Sequence, residues 1–218
     1  MEDTATLIAR LQRYVQTVAA TAPGQPVPNV VPAQPGDARA VLAGAPPSAR
    51  RTALLACTLE TLRPAARVAG VEVLILSDQS PLDDVLANLE TNARGFDPAA
   101  PPPTREEAIA FRAELRTNRA LTATLDGLPV GAGMFTPPLD GIAELVGIAT
   151  LAPYRGRGIG AMLAGDLARA AFGCGVDLAI LRTDNPAADR VYRRIGFQLV
   201  ATLIAEDAAA RADASDTD

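Results

Sequence analysis

Apolar positions near the start of the chain recur at helical spacing. Leu7, Ile8, Leu11, Tyr14, Val15 and Val18 predict an amphipathic helix over residues 4–19. Residues 21–51 are crowded with proline, glycine and alanine and read as a loop or loose arm, broken by a short extended piece around 27–31. A strand over 52–58 and a short helix over 59–69, ending at Gly70, follow. Val71–Leu76 is a compact apolar run and predicts a buried strand. Ser80-Pro81 reads as a helix cap and first helical residue, and Leu82, Val85, Leu86 and Leu89 form one apolar stripe up to Gly95.

Past the proline-rich stretch 98–103, Thr104 and Glu107 stand at capping-box spacing and open a helix over about 105–118. Leu121–Leu125, the Asp126-Gly127 turn and Val130–Phe135 predict a hairpin, and Asp140-Gly141 turns the chain into a further strand, Ile142–Thr150. Ile159, Met162, Leu163, Leu167 and Ala170 give a helix with one buried face. A strand over 176–181, a helix over 186–195 capped by Asn185, and a strand over 198–204 complete the pattern, with an acidic, frayed tail behind them. From residue 71 the order is β-α-α-β-β-β-α-β-α-β, a mixed α/β sheet. Residues 1–69 are an N-terminal helical and strand extension or small accessory domain, 70–205 the main domain and 206–218 the flexible tail.

Composition narrows the chemistry. The chain has no histidine, and all 20 of its basic residues are arginine. A Ser-His-Asp or Cys-His hydrolase, a Schiff-base or P-loop lysine and histidine-rich zinc sites are thereby excluded, and no metal is expected. Carboxylates, tyrosine, hydroxyls and backbone remain. A net charge of -5 argues against general nucleic-acid binding. Cys57 and Cys174 fit no metal or redox spacing and suit a reducing compartment. No apolar run is long enough to span a bilayer, and the first 20 residues do not read as a signal peptide, so a cytoplasmic protein without membrane contact is expected.

The most informative stretch is Arg155-Gly156-Arg157-Gly158-Ile159-Gly160-Ala161, which follows a strand and opens a helix. Glycines there let an anion approach bare helix-start N–H groups, and Arg155 and Arg157 add charge. A dinucleotide fingerprint fails on spacing, because Leu163 or Ala161 stands where its third glycine belongs. Downstream, Asn185, Ala188, Tyr192, Gly196 and Phe197 follow one another at steps of three or four and one.

Arg155-x-x-Gly158-x-Gly160 behind a strand, with Asn185-x-x-Ala188-x-x-x-Tyr192-x-x-x-Gly196-Phe197 downstream, resembles the GNAT superfamily of acyl-CoA-dependent N-acetyltransferases over residues 71–204. Ala152-Pro153 departs from the family's usual proline and acidic residue. The resemblance implies that residues 155–161 cradle the pyrophosphate of coenzyme A. It also implies that the main chain of Ile148, Ala149 and Thr150 pairs with the pantetheine arm. An N–H near Thr150 or Leu151 would hold the oxyanion.

Tyr192 is the implied acid that protonates the departing thiolate, with packing beneath the cofactor as the other role open to it. Asn185 is either a helix cap or a pantetheine contact, and Ala188 lies with it on the cofactor side. Glu144, which interrupts an apolar strand, matches the family's general base; a solvent-facing or loop-bonded glutamate is the alternative, and Asp140 and Glu107 are weaker candidates. The expected activity is transfer of an acetyl group from acetyl-CoA to a primary amine of a small molecule or peptide, by direct attack. A GNAT-like acyl-CoA sensor or interaction module is the alternative. The expected partners are acetyl-CoA and the amine, with room left for a homodimer.

Overall fold

The computed structural model describes residues 3–21, 27–33 and 49–206. The elements run α1 (Thr4–Ala20), β1 (Asn29–Pro32), β2 (Ala49–Cys57), β3 (Val71–Leu76), α2 (Leu82–Phe96), α3 (Arg105–Glu114) and β4 (Ala120–Leu125). Then come β5 (Leu128–Phe135), β6 (Ile142–Thr150), α4 (Ile159–Gly173), β7 (Leu178–Thr183), α5 (Pro186–Arg194) and β8 (Gln198–Glu206). From β3 onward this is the order expected of a mixed α/β GNAT-like fold. The expected acidic tail lies outside the described residues from 207 on, as does most of the expected N-terminal loop.

Contacts divide the chain into two units. The smaller holds the residues up to Ala56, Arg182–Asp189 and those from Gln198. In it β8 lies between β1 and β2 and pairs antiparallel with both. Asp3 caps α1 by accepting the N–H groups of Ala5 and Thr6 at 3.0 and 3.1 Å, and the helix buries Leu11, Tyr14 and Val15.

The larger unit holds Cys57–Leu181 and Arg190–Phe197. Its strands run β7-β6-β5-β4-β3. Only the β6–β7 pair is parallel. Asp126 and Gly127 both take positive φ, 52° and 77°, as the expected tight hairpin turn requires. Leu76, Val85, Ala108, Leu115 and Ala120 form a core with Met134 packed against it, which puts α2 and α3 on one face of the sheet. On the other face Gly131 and Gly133 lie under Leu163 and Leu167 of α4, where a Cβ on either glycine would stand 2.9 Å from a leucine methyl.

Several local expectations change. Residues 59–69 form no helix, because Pro64 interrupts them and the Arg63 N–H donates to Ile195 O at 3.0 Å. This segment instead lies along α4, with Ala65 against Gly165 and Arg67 paired to Asp166. Ala164, Gly165, Ala168 and Ala171 of α4 are buried besides Ile159, Met162, Leu163 and Leu167, while Ala170 of the expected face is half-buried. β3 is an edge strand rather than a buried one, with Ile75 55% exposed. Ser80 does not cap α2, whose N-cap is Pro81 without a side-chain bond; its hydroxyl accepts the Ser77 N–H instead. α3 ends at Glu114, four residues early, and β7 begins at Leu178 rather than Val176.

Candidate active site

β6 is the strand on which the site is built. Its parallel ladder with β7 joins Ile142–Glu144 to Leu178–Ile180, while β6 runs on to Thr150. Past Glu144 the β7-side edge of β6 carries no strand pairing among the described residues. Against β5 the register slips between Ala132 and Met134, which face Ala149 and Val146. Gly147 and Ile148 therefore stand opposite Gly133 alone, a bulge that turns on the positive φ of Gly147, 62°. The Leu151 N–H is committed to Val130 O at 2.9 Å, so it is no oxyanion donor. Alternation along an extended strand aims the Thr150 N–H the opposite way, toward the open edge.

Beyond β6 a single 3-10 turn, Ala152–Tyr154, leads into the glycine-rich turn. Gly156 and Gly158 take φ of 76° and 91°, values that a side chain would strain. Gly158 is the N-cap of α4 and makes no side-chain cap bond. The first helical bond runs from the Met162 N–H to Gly158 O at 3.0 Å, which leaves the N–H groups of Ile159, Gly160 and Ala161 ahead of the ladder as anion donors. Gly160 faces the strand end: a Cβ built on it would lie 3.7 Å from Thr150 Oγ1.

The two arginines of the turn differ. Arg157 is exposed and lies 5.4 Å over the Tyr154 ring. Arg155 reaches back, donating from Nε to Thr150 O at 3.0 Å and from Nη2 to Gly95 O at 2.6 Å.

Glu144 is 4% exposed, which rules out the solvent-facing alternative. Its main chain is held on both sides by Thr136, whose N–H donates to Glu144 O at 2.8 Å and whose hydroxyl accepts the Glu144 N–H at 3.0 Å. Glu144 is two residues from Val146, which pairs with Met134. Alternation therefore puts it on the face that carries α2 and α3.

Tyr192 is half-buried, and burial pushes its phenol above the ordinary value. A Schellman ending places it: the Gly196 N–H donates to Arg193 O and the Phe197 N–H to Tyr192 O, both at 3.2 Å. The Tyr192 and Phe197 rings meet edge to face at 6.3 Å. Gly196 has φ 101°, and a Cβ there would collide with Thr61 O. Asn185 caps α5, accepting the Ala187 and Ala188 N–H groups at 2.9 and 3.4 Å. The cap is thus one role of Asn185. Tyr192 and Glu144 stand on separate elements, α5 and β6.

Three residues escaped the sequence reading, Asn88, Thr91 and Asn92. The expected stripe of α2 holds, with Val85 in the core and Leu82, Leu86 and Leu89 packed against it, but the second half of the helix also buries Asn88, Thr91 and Gly95. Asn92, on the same side, donates through Nδ2 to the carbonyl of the bulge residue Gly147. A Cβ on Gly95 would stand 2.6 Å from Ala149 Cβ, so helix and strand touch there. The only trace in the sequence is the run of asparagine, threonine and glycine at helical spacing.

Among the described residues no group of three or more His, Cys, Asp or Glu side chains could hold a metal ion, and no helix is long and apolar enough to cross a membrane.

The site thus combines a strand edge left without strand pairing past Glu144, a bulge, and a glycine-opened helix behind it. The model of the acetyltransferase (GNAT) family matches residues 85–197, and the chain belongs to that family. Among solved structures it is similar to a GCN5-related N-acetyltransferase from Kribbella flavida, at 24% identity and TM-score 0.57 over 94% of this chain and 77% of that one. It is also similar to one from Sphaerobacter thermophilus, at 21% identity and TM-score 0.55 over 88% and 63%. A tandem GNAT protein from the clavulanic acid biosynthesis pathway aligns at 18% identity and TM-score 0.55 over 82% and 62%. The chain spans less than two thirds of the length of the latter two, and at these identities the likeness is one of fold. A comparison with curated proteins finds no match.

Proposed function

We propose that the chain transfers an acetyl group from acetyl-CoA to a primary amine of a small molecule or peptide by direct attack on the thioester. The observation that carries this is the open edge of β6 ending at a helix start whose first N–H groups have no cap. An extended pantetheine arm can add to that edge as a strand does, and its pyrophosphate then meets the N–H groups of Ile159, Gly160 and Ala161. Arg157 supplies charge at the rim. In this reading 70–205 is the acetyltransferase domain and 1–69 an accessory segment. Two free cysteines support a reducing, cytoplasmic setting.

The amine nitrogen, freed of its extra proton by Glu144 directly or through water, attacks the thioester carbon. The Thr150 N–H stabilises the oxyanion, a contribution of about 10²- to 10³-fold for one such donor. Collapse breaks the carbon–sulfur bond, and Tyr192 gives its proton to the sulfur. A phenol kept neutral by burial is suited to that step. The extra proton on the product nitrogen leaves through water and restores the phenol, while Glu144 releases its proton to solvent.

Release of coenzyme A thiol from acetyl-CoA, followed over a panel of primary amines, tests the proposal. Steady turnover without a burst, dependent on one class of amine, is expected. Tight binding of coenzyme A with no turnover on any amine would make the chain an acyl-CoA-binding module instead.

A further inference from the structure

Two polar ties join the second half of α2 to β6, and the acyl-transfer steps give neither a task. Asn92 Nδ2 donates to Gly147 O. A bulge leaves its extra residue without a ladder partner, so that carbonyl needs a donor from elsewhere. One turn of helix further on, the Arg155 guanidinium bridges Gly95 O and Thr150 O. Gly95 lets this happen by having no Cβ to push Ala149 away. The cation also sits against the carbonyl end of α2, where a positive charge is favoured. Asn88 continues the same stripe, donating to Leu121 O and Thr122 Oγ1 at 3.0 and 2.8 Å.

We propose that Asn92 and Arg155 are positioning residues that lock the bulge and the last residue of β6 onto α2, and so fix the backbone edge that meets the acyl donor. Arg155 then acts through carbonyl groups rather than by gripping a phosphate. The idea rests on the donor reading of β6 given above. Its consequence is that the donor strand and the end of α2, where the proline-rich loop begins, move as one body. Arg155 belongs by its main chain to the glycine turn, so the anion-binding N–H groups are carried along with them.

Arg155→Lys separates the two roles, since lysine keeps the charge but lacks a planar fork to bridge two carbonyls. Asn92→Ala cuts the other tie without touching the turn. Hydrogen exchange is measured on the full chain without ligand, ADP affinity by titration, and kcat and KM with the amine found in the panel. For Arg155→Lys, exchange is expected to rise at least about tenfold at amides 92–97 and 147–151 together. ADP affinity should stay within about threefold, and kcat should fall about tenfold or more. Asn92→Ala should give the same joint rise and the same fall in kcat. If Arg155→Lys weakens ADP about tenfold and leaves exchange unchanged, Arg155 is a phosphate ligand and the idea fails. It fails equally if Asn92→Ala alters neither exchange nor kcat. Because exchange is read without ligand, wild-type protein that binds no coenzyme A would overturn the functional proposal and leave the two ties to be judged on exchange alone.

Discussion

Burial pushes the Tyr192 phenol up, and the direction of that shift makes two predictions. A raised folded value keeps the phenol protonated across the neutral range, so if Tyr192 has the proposed role of acid the basic limb of the kcat profile should begin only above about pH 10, the ordinary value for tyrosine. Tyr192→Phe should lower kcat by about 10²-fold or more and abolish that limb, while KM for acetyl-CoA changes little. The same shift is linked to stability. The contribution is complete below pH about 10 and is lost as pH rises through the folded value, because the unfolded phenol ionises first. Tyr192→Phe should therefore flatten the alkaline fall in stability measured by denaturant titration. Glu144 makes a separate prediction: Glu144→Gln, close in shape, should reduce kcat/KM by about 10²-fold with coenzyme A affinity unchanged. An unaffected rate would return the glutamate to a purely structural place beside Thr136.

At the scale of elements, Gly196 shows how one position serves two demands. Its φ of 101° ends α5, and the space its Cβ would take belongs to Thr61 O. Gly196→Ala should cost at least about 2 kcal/mol in urea unfolding, from the left-handed backbone and the displaced segment together. The end of α5 was legible because glycine after a helix is a local signal. So were the box of Thr104 and Glu107, which forms with both reciprocal bonds, and the Asp126-Gly127 turn. Thr61 was not legible as a neighbour, nor was the non-helical course of residues 59–69, because both depend on contacts with Ile195 and Gly196 far along the chain. The polar stripe of α2 was hidden for the same reason. Asn88 and Asn92 bond to groups 33 and 55 residues away. The glycine turn was read correctly as a helix start, yet the two backbone bonds made by the Arg155 guanidinium had no signature in its spacing.

For the whole molecule, the division into two units decides what ligand binding should do to unfolding. β6, the glycine turn and α4 all belong to the larger unit, so coenzyme A should stabilise that unit. At a concentration about 100 times its Kd the ligand adds about 2.7 kcal/mol, which raises the midpoint of a unit this size by about 5–15 °C. In calorimetry the transition of the larger unit is expected to move with coenzyme A concentration, and a separate transition of the smaller unit, where one is seen, is expected to stay. Gly158→Ala supplies the control. Its Cβ would meet only Val68 Cγ2 at an ordinary 3.6 Å, so the cost is the strain of φ 91° and not a clash. That strain is worth about 1–3 kcal/mol. Relief by a shifted turn would misdirect the N–H groups of Ile159 and Gly160, so the variant should melt several degrees lower without ligand and lose most of its response to coenzyme A. A full response in Gly158→Ala would mean that the pyrophosphate is held somewhere other than the start of α4.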